Sequence, residues 1–270
     1  MAGPLMKQRK YLLIGVTLLL VLLIFVFPFL ASALYSFKGD AGKGYSFANY
    51  QWLLDQEGFY PALITSLKLG ILTSILNLIL MVPTMTYLHL GGKKWKPLVD
   101  AICILPLIIP VVSLAIGAQV AMPELLQNTE YELVFFFVII GLPFTFRALD
   151  TSLSAVPLST LVEASRSLGA NWFQSIIRVI IPAIRSGILA ALFLSFALSI
   201  GEYTITSLLH WDTFPTWTVV AGQQNILGAI AISVFTFCAA IFLLSLLGIF
   251  SRKKPTAMII DDLDIEKANQ

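Results

Sequence analysis

This 270-residue chain has few charged residues, few cysteines and none of the common catalytic or nucleotide-binding motifs. Only 12% of its residues are charged, whereas 58% are hydrophobic and the mean hydropathy is +0.88. A typical soluble domain has about 25% charged residues, so this composition excludes an ordinary soluble domain. The two cysteines, Cys103 and Cys238, both lie in long apolar runs, which excludes a disulfide framework and a cysteine-rich metal site.

The missing motifs also limit the chemistry that the chain can perform. There is no Gly-x-x-x-x-Gly-Lys-Ser/Thr phosphate-binding loop, because the turn at Gly91-Gly92-Lys93 lacks the spacing and the hydroxyl residue. His-Glu-x-x-His, Gly-x-Ser-x-Gly and a spaced pair of carboxylates within an apolar run are absent as well. We therefore expect no catalytic residue, no metal, no cofactor and no nucleic-acid partner. A transporter of this kind would be driven by an ion gradient or by another subunit.

Six apolar runs are long enough to cross a bilayer, which takes about 20 residues of helix. They predict an all-α polytopic membrane protein with six transmembrane helices at residues 11–34, 61–90, 98–122, 133–149, 183–209 and 224–250. Pro106 and Pro110 predict that the third span is bent or broken. Ala31-Ser32-Ala33 resembles a signal-peptide cleavage site, but the run before it is nearly twice the usual signal core and five more spans follow, so we interpret it as span one.

Positive charge is distributed unequally between the segments that connect the spans. With both termini inside, the outer segments hold only Lys38 and Lys43. Cytoplasmic segments of membrane proteins are rich in Lys and Arg, so we expect both termini and the segment 151–182 to be cytoplasmic. The inner segments then hold fourteen basic residues: Lys7, Arg9, Lys10, Lys93, Lys94, Lys96, Arg147, Arg166, Arg178, Arg185, Arg252, Lys253, Lys254 and Lys267.

A polar stretch at residues 162–182, VEASRSLGANWFQSIIRVIIP, separates the fourth and fifth spans. Two candidate capping boxes, Thr160 with Glu163 and Asn171 with Gln174, predict two short helices. Gly169 lies between them and suits the backbone conformation that ends a helix. The stretch is therefore expected to form a helix–glycine–helix elbow, and the alternative is a long interfacial loop with no partner.

This stretch resembles the cytoplasmic EAA loop of permease subunits of binding-protein-dependent ABC importers. Glu163-Ala164-Ser165 is followed by Gly169 and by an apolar segment that ends at Pro182, near the first turn of the next apolar run. Ser165 replaces the second alanine of the family pattern, which is a small-for-small change. The family's Leu-Pro-x-x-x-Pro and Gly-Glu-aromatic stretches are matched by Leu105–Pro110 and by Gly201-Glu202-Tyr203.

The resemblance covers nearly the whole chain and implies a type I ABC importer permease fold with coupling helices that contact the ATPase. It implies a multi-pass protein of the inner cell membrane that translocates a solute and is not an enzyme. The implied partners are two ABC ATPase subunits, an extracytoplasmic solute-binding protein and a second permease subunit, identical or different, which span one would wrap. The expected division of the chain is a cytoplasmic N-terminus (1–10), a first span with an external segment (11–60), a permease core (61–250) containing the coupling loop (151–182), and a cytoplasmic tail (251–270).

Glu202 is the one carboxylate that the sequence places well inside a span. Ionisable groups there are costly and usually face a cavity or a partner. Glu202, with Tyr203, could line the path of a cationic solute, or the carboxylate could cap a broken helix or pair across a subunit interface. The resemblance allows polyamines such as spermidine and putrescine, ferric iron, sulfate, thiamine or phosphonates, and Glu202 favours polyamines. The alternative of a different class is an ion-coupled secondary transporter with Glu202 as the coupling site.

Overall fold

The computed structural model describes residues 4–39 and 44–251 of the chain. Within these ranges the regular elements are helices, accompanied by one isolated bridge between Lys38 and Tyr45. The all-α prediction is therefore confirmed, and the predicted tail lies outside the described residues except for Ser251. The helices are α1 (Pro4–Ser36), α2 (Ala48–Asp55), α3 (Phe59–Leu90), α4 (Lys96–Ile108), α5 (Val111–Ala121), α6 (Glu132–Ser154), α7 (Leu158–Ser167), α8 (Trp172–Ser175), α9 (Ile181–Ala183), α10 (Arg185–Gly201), α11 (Thr204–Leu208), α12 (Phe214–Gln224) and α13 (Ile226–Ser251).

Four candidate spans among the described residues are long and apolar enough to cross a membrane. They are α1 from Tyr11 onwards, α3, α6, and the stretch Arg185–Leu208 that combines α10 and α11. The pair α4 and α5 forms a fifth candidate. The stretch Ile226–Phe242 of α13 is apolar but shorter than these spans, so α13 is not counted with them. The count of six spans therefore stays a prediction.

The third span is broken, as its two prolines predicted. α4 ends at Ile108, and α5 starts at Val111 after a bend of 101°. Pro110 lies at the break, where Ile109 has the extended backbone (φ −76°, ψ 128°) that a residue before proline prefers. Pro106 instead stays inside α4. One proline of the pair therefore accounts for the break.

Helices α3, α6 and α10 pack against one another and form the centre of the molecule. The small residues Gly187, Ala191, Ser195 and Ser199 recur every four positions along α10, and all four are buried. Residues four apart lie on one face of a helix, and small side chains let helix backbones approach closely in a membrane. The sequence of α10 is thus suited to close packing on its two neighbours.

Asn77 provides a polar contact in the middle of this three-helix core. It is fully buried on α3, and its Nδ2 donates to Ser195 Oγ of α10 at 2.7 Å. Gly141 of α6 makes room for the amide, because a Cβ at this position would lie 2.6 Å from Asn77 Nδ2. The hydrogen bond and the glycine together set how α3, α6 and α10 are aligned along the axis of the bundle.

A hydrophobic cluster fills the end of the bundle that carries residues 146–184. It joins α3, α4, α6 and α10 with α7, through Leu158 and Val162. Cys103 is buried in this cluster, so packing explains that cysteine. We call this group the inner cluster, and its buried members are Met81, Val82, Met85, Leu88, Cys103, Phe146, Leu149, Leu153, Leu158, Val162, Ile180, Ile184 and Ala191.

Two polar contacts fasten the opposite end of the bundle. The Lys68 ammonium group on α3 contacts the Glu130 carboxylate and lies 4.5 Å from the centre of the Tyr131 ring. Glu132, which is buried in the first turn of α6, accepts a hydrogen bond of 2.6 Å from the Trp211 indole. Lys68, which lies near the end of a span, therefore has protein partners in Glu130 and Tyr131.

Candidate functional site

The polar stretch folds as the helix–glycine–helix element that the sequence predicted. We call residues 158–183 the elbow: α7, a turn at 168–171, α8, a π-helical turn at Ile176–Ile180 and α9. The turn contains Gly169, whose φ of +85° lies in the left-handed region that glycine adopts most readily.

Two backbone hydrogen bonds close α7 at this glycine. The N–H of Gly169 donates to the Arg166 carbonyl at 2.9 Å, and the N–H of Ala170 donates to the Ser165 carbonyl at 3.1 Å. This pairing is the Schellman motif, in which a residue of positive φ lets the chain turn back and satisfy the last carbonyls of the helix. The direction of the chain as it leaves α7 thus depends on the conformation of Gly169.

One of the two predicted capping boxes is present, and the prediction of the other is wrong. The Gln174 N–H donates to Asn171 Oδ1 at 2.8 Å, and the Asn171 N–H donates to Gln174 Oε1 at 3.0 Å, which starts α8 as predicted. The box at Thr160 does not form, because α7 already starts at Leu158, directly after Pro157. The ring of Pro157 fixes its φ at −75° and removes one N–H, so the first turn starts before Thr160.

The three residues of the Glu-Ala-Ser motif face different surroundings. Glu163 and Ala164 are exposed, whereas Ser165 is buried against α8. Ser165 Oγ donates to the Val162 carbonyl at 2.8 Å and lies 2.8 Å from Oγ of the fully buried Ser175. Only a small side chain fits between α7 and α8 here, and serine adds a hydrogen bond between the two helices.

The rest of the elbow has one face in the bundle and another exposed. Pro182, at the first turn of α9, is exposed, while Ile180 and Ile184 beside it are buried in the inner cluster. Around the turn, large apolar side chains are exposed: Leu168 (90%), Phe173 (70%) and Trp172 (44%). Exposed apolar patches of this kind often mark interaction sites. The family motif does not include these three residues, although apolar side chains beside a Gly-Ala-Asn turn are a usable signal in the sequence.

The second candidate site, at Glu202 and Tyr203, lies at the other end of α10, where the helix breaks. Glu202 is half-buried with an extended backbone, and its Oε1 accepts a hydrogen bond of 2.9 Å from the N–H of Ile205. The carboxylate therefore caps the short helix α11, which is one of the roles that the sequence left open.

Tyr203, in contrast, lines an open cavity of about 690 Å³ between α1, α3, α10, α12 and α13. The cavity walls are mainly apolar, and Glu202 is not part of them. The structure thus separates the two residues that the sequence grouped as one path, and it keeps both of them at the opposite end of α10 from the elbow.

The described residues thus form a helical bundle with a three-helix core, one sharply broken candidate span and an exposed elbow at one end. A family model for the inner membrane component of binding-protein-dependent transport systems matches residues 70–253, which are 184 of the 270 residues. The chain belongs to this family. Its members are translocation components and not enzymes, and they lie in the inner membrane.

Relatives with assigned solutes differ in what they transport. The chain is 30% identical over 163 residues to a putative 2-aminoethylphosphonate transport system permease protein, PhnV, of Salmonella typhimurium; this match covers 58% of the chain and 61% of PhnV. It is 26% identical over 244 residues (83% and 93%) to a molybdate/tungstate permease, WtpB, of Methanocaldococcus jannaschii. It is 34% identical over 87 residues (32% and 30%) to a spermidine/putrescine permease, PotB, of Haemophilus influenzae. The chain thus spans about three-fifths of PhnV, and these names do not agree on a solute.

Solved structures support the fold. A bacterial ABC transporter that imports the acidic polysaccharide alginate matches 93% of this chain and 99% of its own chain, with a TM-score of 0.70 and 15% identity. The same type of transporter in complex with an alginate pentasaccharide-bound periplasmic protein matches 91% and 95%, with a TM-score of 0.66 and 19% identity. The predicted permease fold is therefore confirmed.

Proposed function

We propose that this chain is the translocation subunit of an ATP-driven, binding-protein-dependent importer, and that its elbow docks an ABC ATPase subunit. The observation that carries the proposal is the elbow itself. Its conformation is fixed by the Gly169 turn, the Asn171–Gln174 cap and the Ser165–Ser175 contact. An ordered element with exposed apolar side chains suits a docking role better than a loop without a partner does.

The two faces of the elbow support this role. Glu163, Leu168 and Phe173 are exposed, so a partner can reach a carboxylate and apolar side chains around one turn. Leu158 and Val162 on the other face pack into the inner cluster with residues of α3, α4 and α6. A displacement of the elbow therefore has a direct packing route into the core, because close-packed interiors transmit strain.

The same proposal places the other partners around the chain. A solute-binding protein would approach from the outside, and both termini would face the cytoplasm, as the distribution of Lys and Arg suggests. A second permease subunit, identical or different, would cover part of α1, whose described side chains from Tyr11 to Leu30 are exposed and mainly apolar. Within the chain, Phe29 of α1 stacks on Phe237 of α13 with ring centres 4.1 Å apart.

Orientation and docking can be tested together by single-cysteine labelling, in a background that lacks Cys103 and Cys238. Leu168→Cys is expected to react with an impermeant maleimide only from the cytoplasmic side, and bound ATPase subunits should protect it about tenfold because docking buries the side chain. Lys94→Cys serves as the inside control and Asp212→Cys as the outside control. Reaction of Leu168→Cys from outside, or equal reaction with and without ATPase subunits, would contradict the docking role.

For the solute, we propose a polyamine such as spermidine or putrescine, with the Glu202 carboxylate attracting the cation. Oε1 of Glu202 caps α11, but a carboxylate has two oxygens and keeps its charge when one of them accepts a hydrogen bond. A 2-aminoethylphosphonate is the second candidate, and the identity of 30% to PhnV favours it. Both solutes carry an ammonium group, whereas molybdate does not.

Substitution of Glu202 separates these roles. Glu202→Gln removes the charge and keeps an oxygen that can cap α11, so we expect polyamine uptake to fall about tenfold through lost Coulomb attraction. ATP hydrolysis stimulated by the loaded binding protein should persist, and Glu124→Gln, which neutralises an exposed carboxylate at the same end, should behave as wild type. The assay is uptake of putrescine, 2-aminoethylphosphonate and molybdate in proteoliposomes. Undiminished putrescine uptake would leave Glu202 with its capping role only.

A further inference from the structure

Two ion pairs connect α4 and α6. The basic residue lies on α4 in one pair and on α6 in the other. Lys96 Nζ of α4 lies 2.6 Å from Asp150 Oδ1 of α6, and Arg147 Nη2 of α6 lies 3.0 Å from Asp100 Oδ1 of α4. Lys96 and Asp100 are four residues apart and Arg147 and Asp150 three, so each pair of positions lies on one helix face. We call these four residues the clasp.

The end of α3 also takes part. His89 Nε2 lies 3.1 Å from the same Asp150 oxygen and 3.3 Å from Ser154 Oγ. Asp150 thereby contacts residues from both sides of the turn that connects α3 and α4. Its side chain is only 20% exposed, whereas the Arg147 side chain is 58% exposed. Isolated exposed ion pairs contribute little to stability, so we consider the clasp for the contacts that it makes between helices.

The clasp lies between the elbow and the break in the third span. On one side, α6 ends at Ser154, and only three residues separate it from the elbow helix α7. On the other side, α4 leads directly to the break at Ile109-Pro110. In the described part of the chain α4 packs mainly on α6. The contact between α4 and α6 is therefore the main attachment of the inner half of the broken span.

We propose that the clasp transmits movement of the elbow to α4, so that Lys96, Asp100, Arg147 and Asp150 are positioning residues that couple ATP hydrolysis to solute movement. This proposal rests on the proposed function. Apolar contacts in the inner cluster transmit a displacement of the elbow, but because they are non-directional they do not set the register between α4 and α6. Reciprocal ion pairs set the register of two helices along their axes, because each basic residue of the clasp has one acidic partner on the other helix. A shift of α6 would thus carry α4 with it and change the bend at Pro110.

The test is the number of solute molecules imported per ATP hydrolysed by the complete reconstituted complex. Asp150→Asn and Asp100→Asn are each expected to lower this ratio about fivefold to tenfold while ATP hydrolysis continues, within the range of couplings carried by packed networks. The double variant Asp100→Arg with Arg147→Asp exchanges the charges of the pair that His89 does not contact, and it should restore most of the ratio. Lys94→Gln, on the same turn but outside the clasp, is the matched control.

The outcomes distinguish this proposal from the one on which it rests. If the wild-type complex shows no ATP-driven uptake, the proposed function fails first. If wild type transports and both Asp→Asn variants keep a normal ratio, the clasp is not a coupling element. Parallel loss of hydrolysis and uptake at an unchanged ratio would also overturn it, because that result indicates a purely structural role. Failure of the charge exchange to restore the ratio would contradict reciprocal pairing.

Discussion

Gly169→Val is expected to lower ATP-driven solute uptake at least about tenfold, while membrane insertion stays close to wild type. The reason is the backbone: φ at Gly169 is +85°, and left-handed conformations cost an L-residue roughly 1–2 kcal/mol, more for a β-branched one. Steric crowding does not cause the effect, because a Cβ at Gly169 would meet no atom within 4 Å. Valine would therefore shift the turn, break the Schellman pairing and re-aim α8. The measurement is uptake and ATP hydrolysis in the same proteoliposomes.

Two matched variants isolate the backbone effect. Gly169→Asn should keep an intermediate activity, because asparagine tolerates the left-handed region better than other non-glycine residues. Gly91→Val is the control, since Gly91 also has no atom within 4 Å of an added Cβ but has a negative φ of −138°. Normal coupled transport by Gly169→Val at normal expression would show that the elbow does not need this turn.

Gly187→Val is expected to have the largest effect on folding. A Cβ at Gly187 would lie 2.3 Å from Ser152 Cβ and 3.2 Å from the Ala148 carbonyl oxygen, so α10 and α6 would have to separate. Overpacking of this kind typically costs about 1–3 kcal/mol, and valine adds two methyl groups to the clash. We expect a clear fall in the midpoint of thermal unfolding in detergent and in the yield of monodisperse protein.

A compensating change tests the cause of this instability. Gly187→Ala should be destabilising alone, and Ser152→Gly in the same chain should recover much of the loss by removing the side chain that the new Cβ meets. Gly117→Ala on α5 is the control, because a Cβ there meets nothing within 4 Å. A Gly187→Val protein as stable as wild type would contradict the close packing of α6 and α10.

The features that sequence analysis predicted correctly depend on local signals. Pro110 breaks the third span because its ring and missing N–H act on the adjacent turn. Gly169 and the Asn171–Gln174 box likewise act within a few residues. The Thr160 box failed for a local reason too, since Pro157 had already started the helix. The sequence contains two competing helix-start signals, Pro157 and Thr160, and α7 starts directly after the proline.

Contacts between distant residues could not be predicted in this way. Lys68 and Glu130 are 62 positions apart, and Arg147 and Asp100 are 47 apart, so only helix packing brings them together. The burial of Ser165 also depends on Ser175, which the motif does not include. At Glu202 the sequence indicated the cost of a carboxylate in a span but not its hydrogen-bond partner, so the contact with the N–H of Ile205 could not be predicted.

The central claim, that this chain moves a solute at the expense of ATP hydrolysed by a docked partner, is tested most directly by uptake into proteoliposomes with ATP and ion gradients varied separately. The complex of this chain with its permease partner, ATPase subunits and binding protein is expected to accumulate solute when ATP is present on the elbow side and the binding protein on the other side. Uptake should be unaffected by collapse of the proton and sodium gradients. Uptake that follows an ion gradient and ignores ATP would contradict the claim and identify an ion-coupled carrier instead.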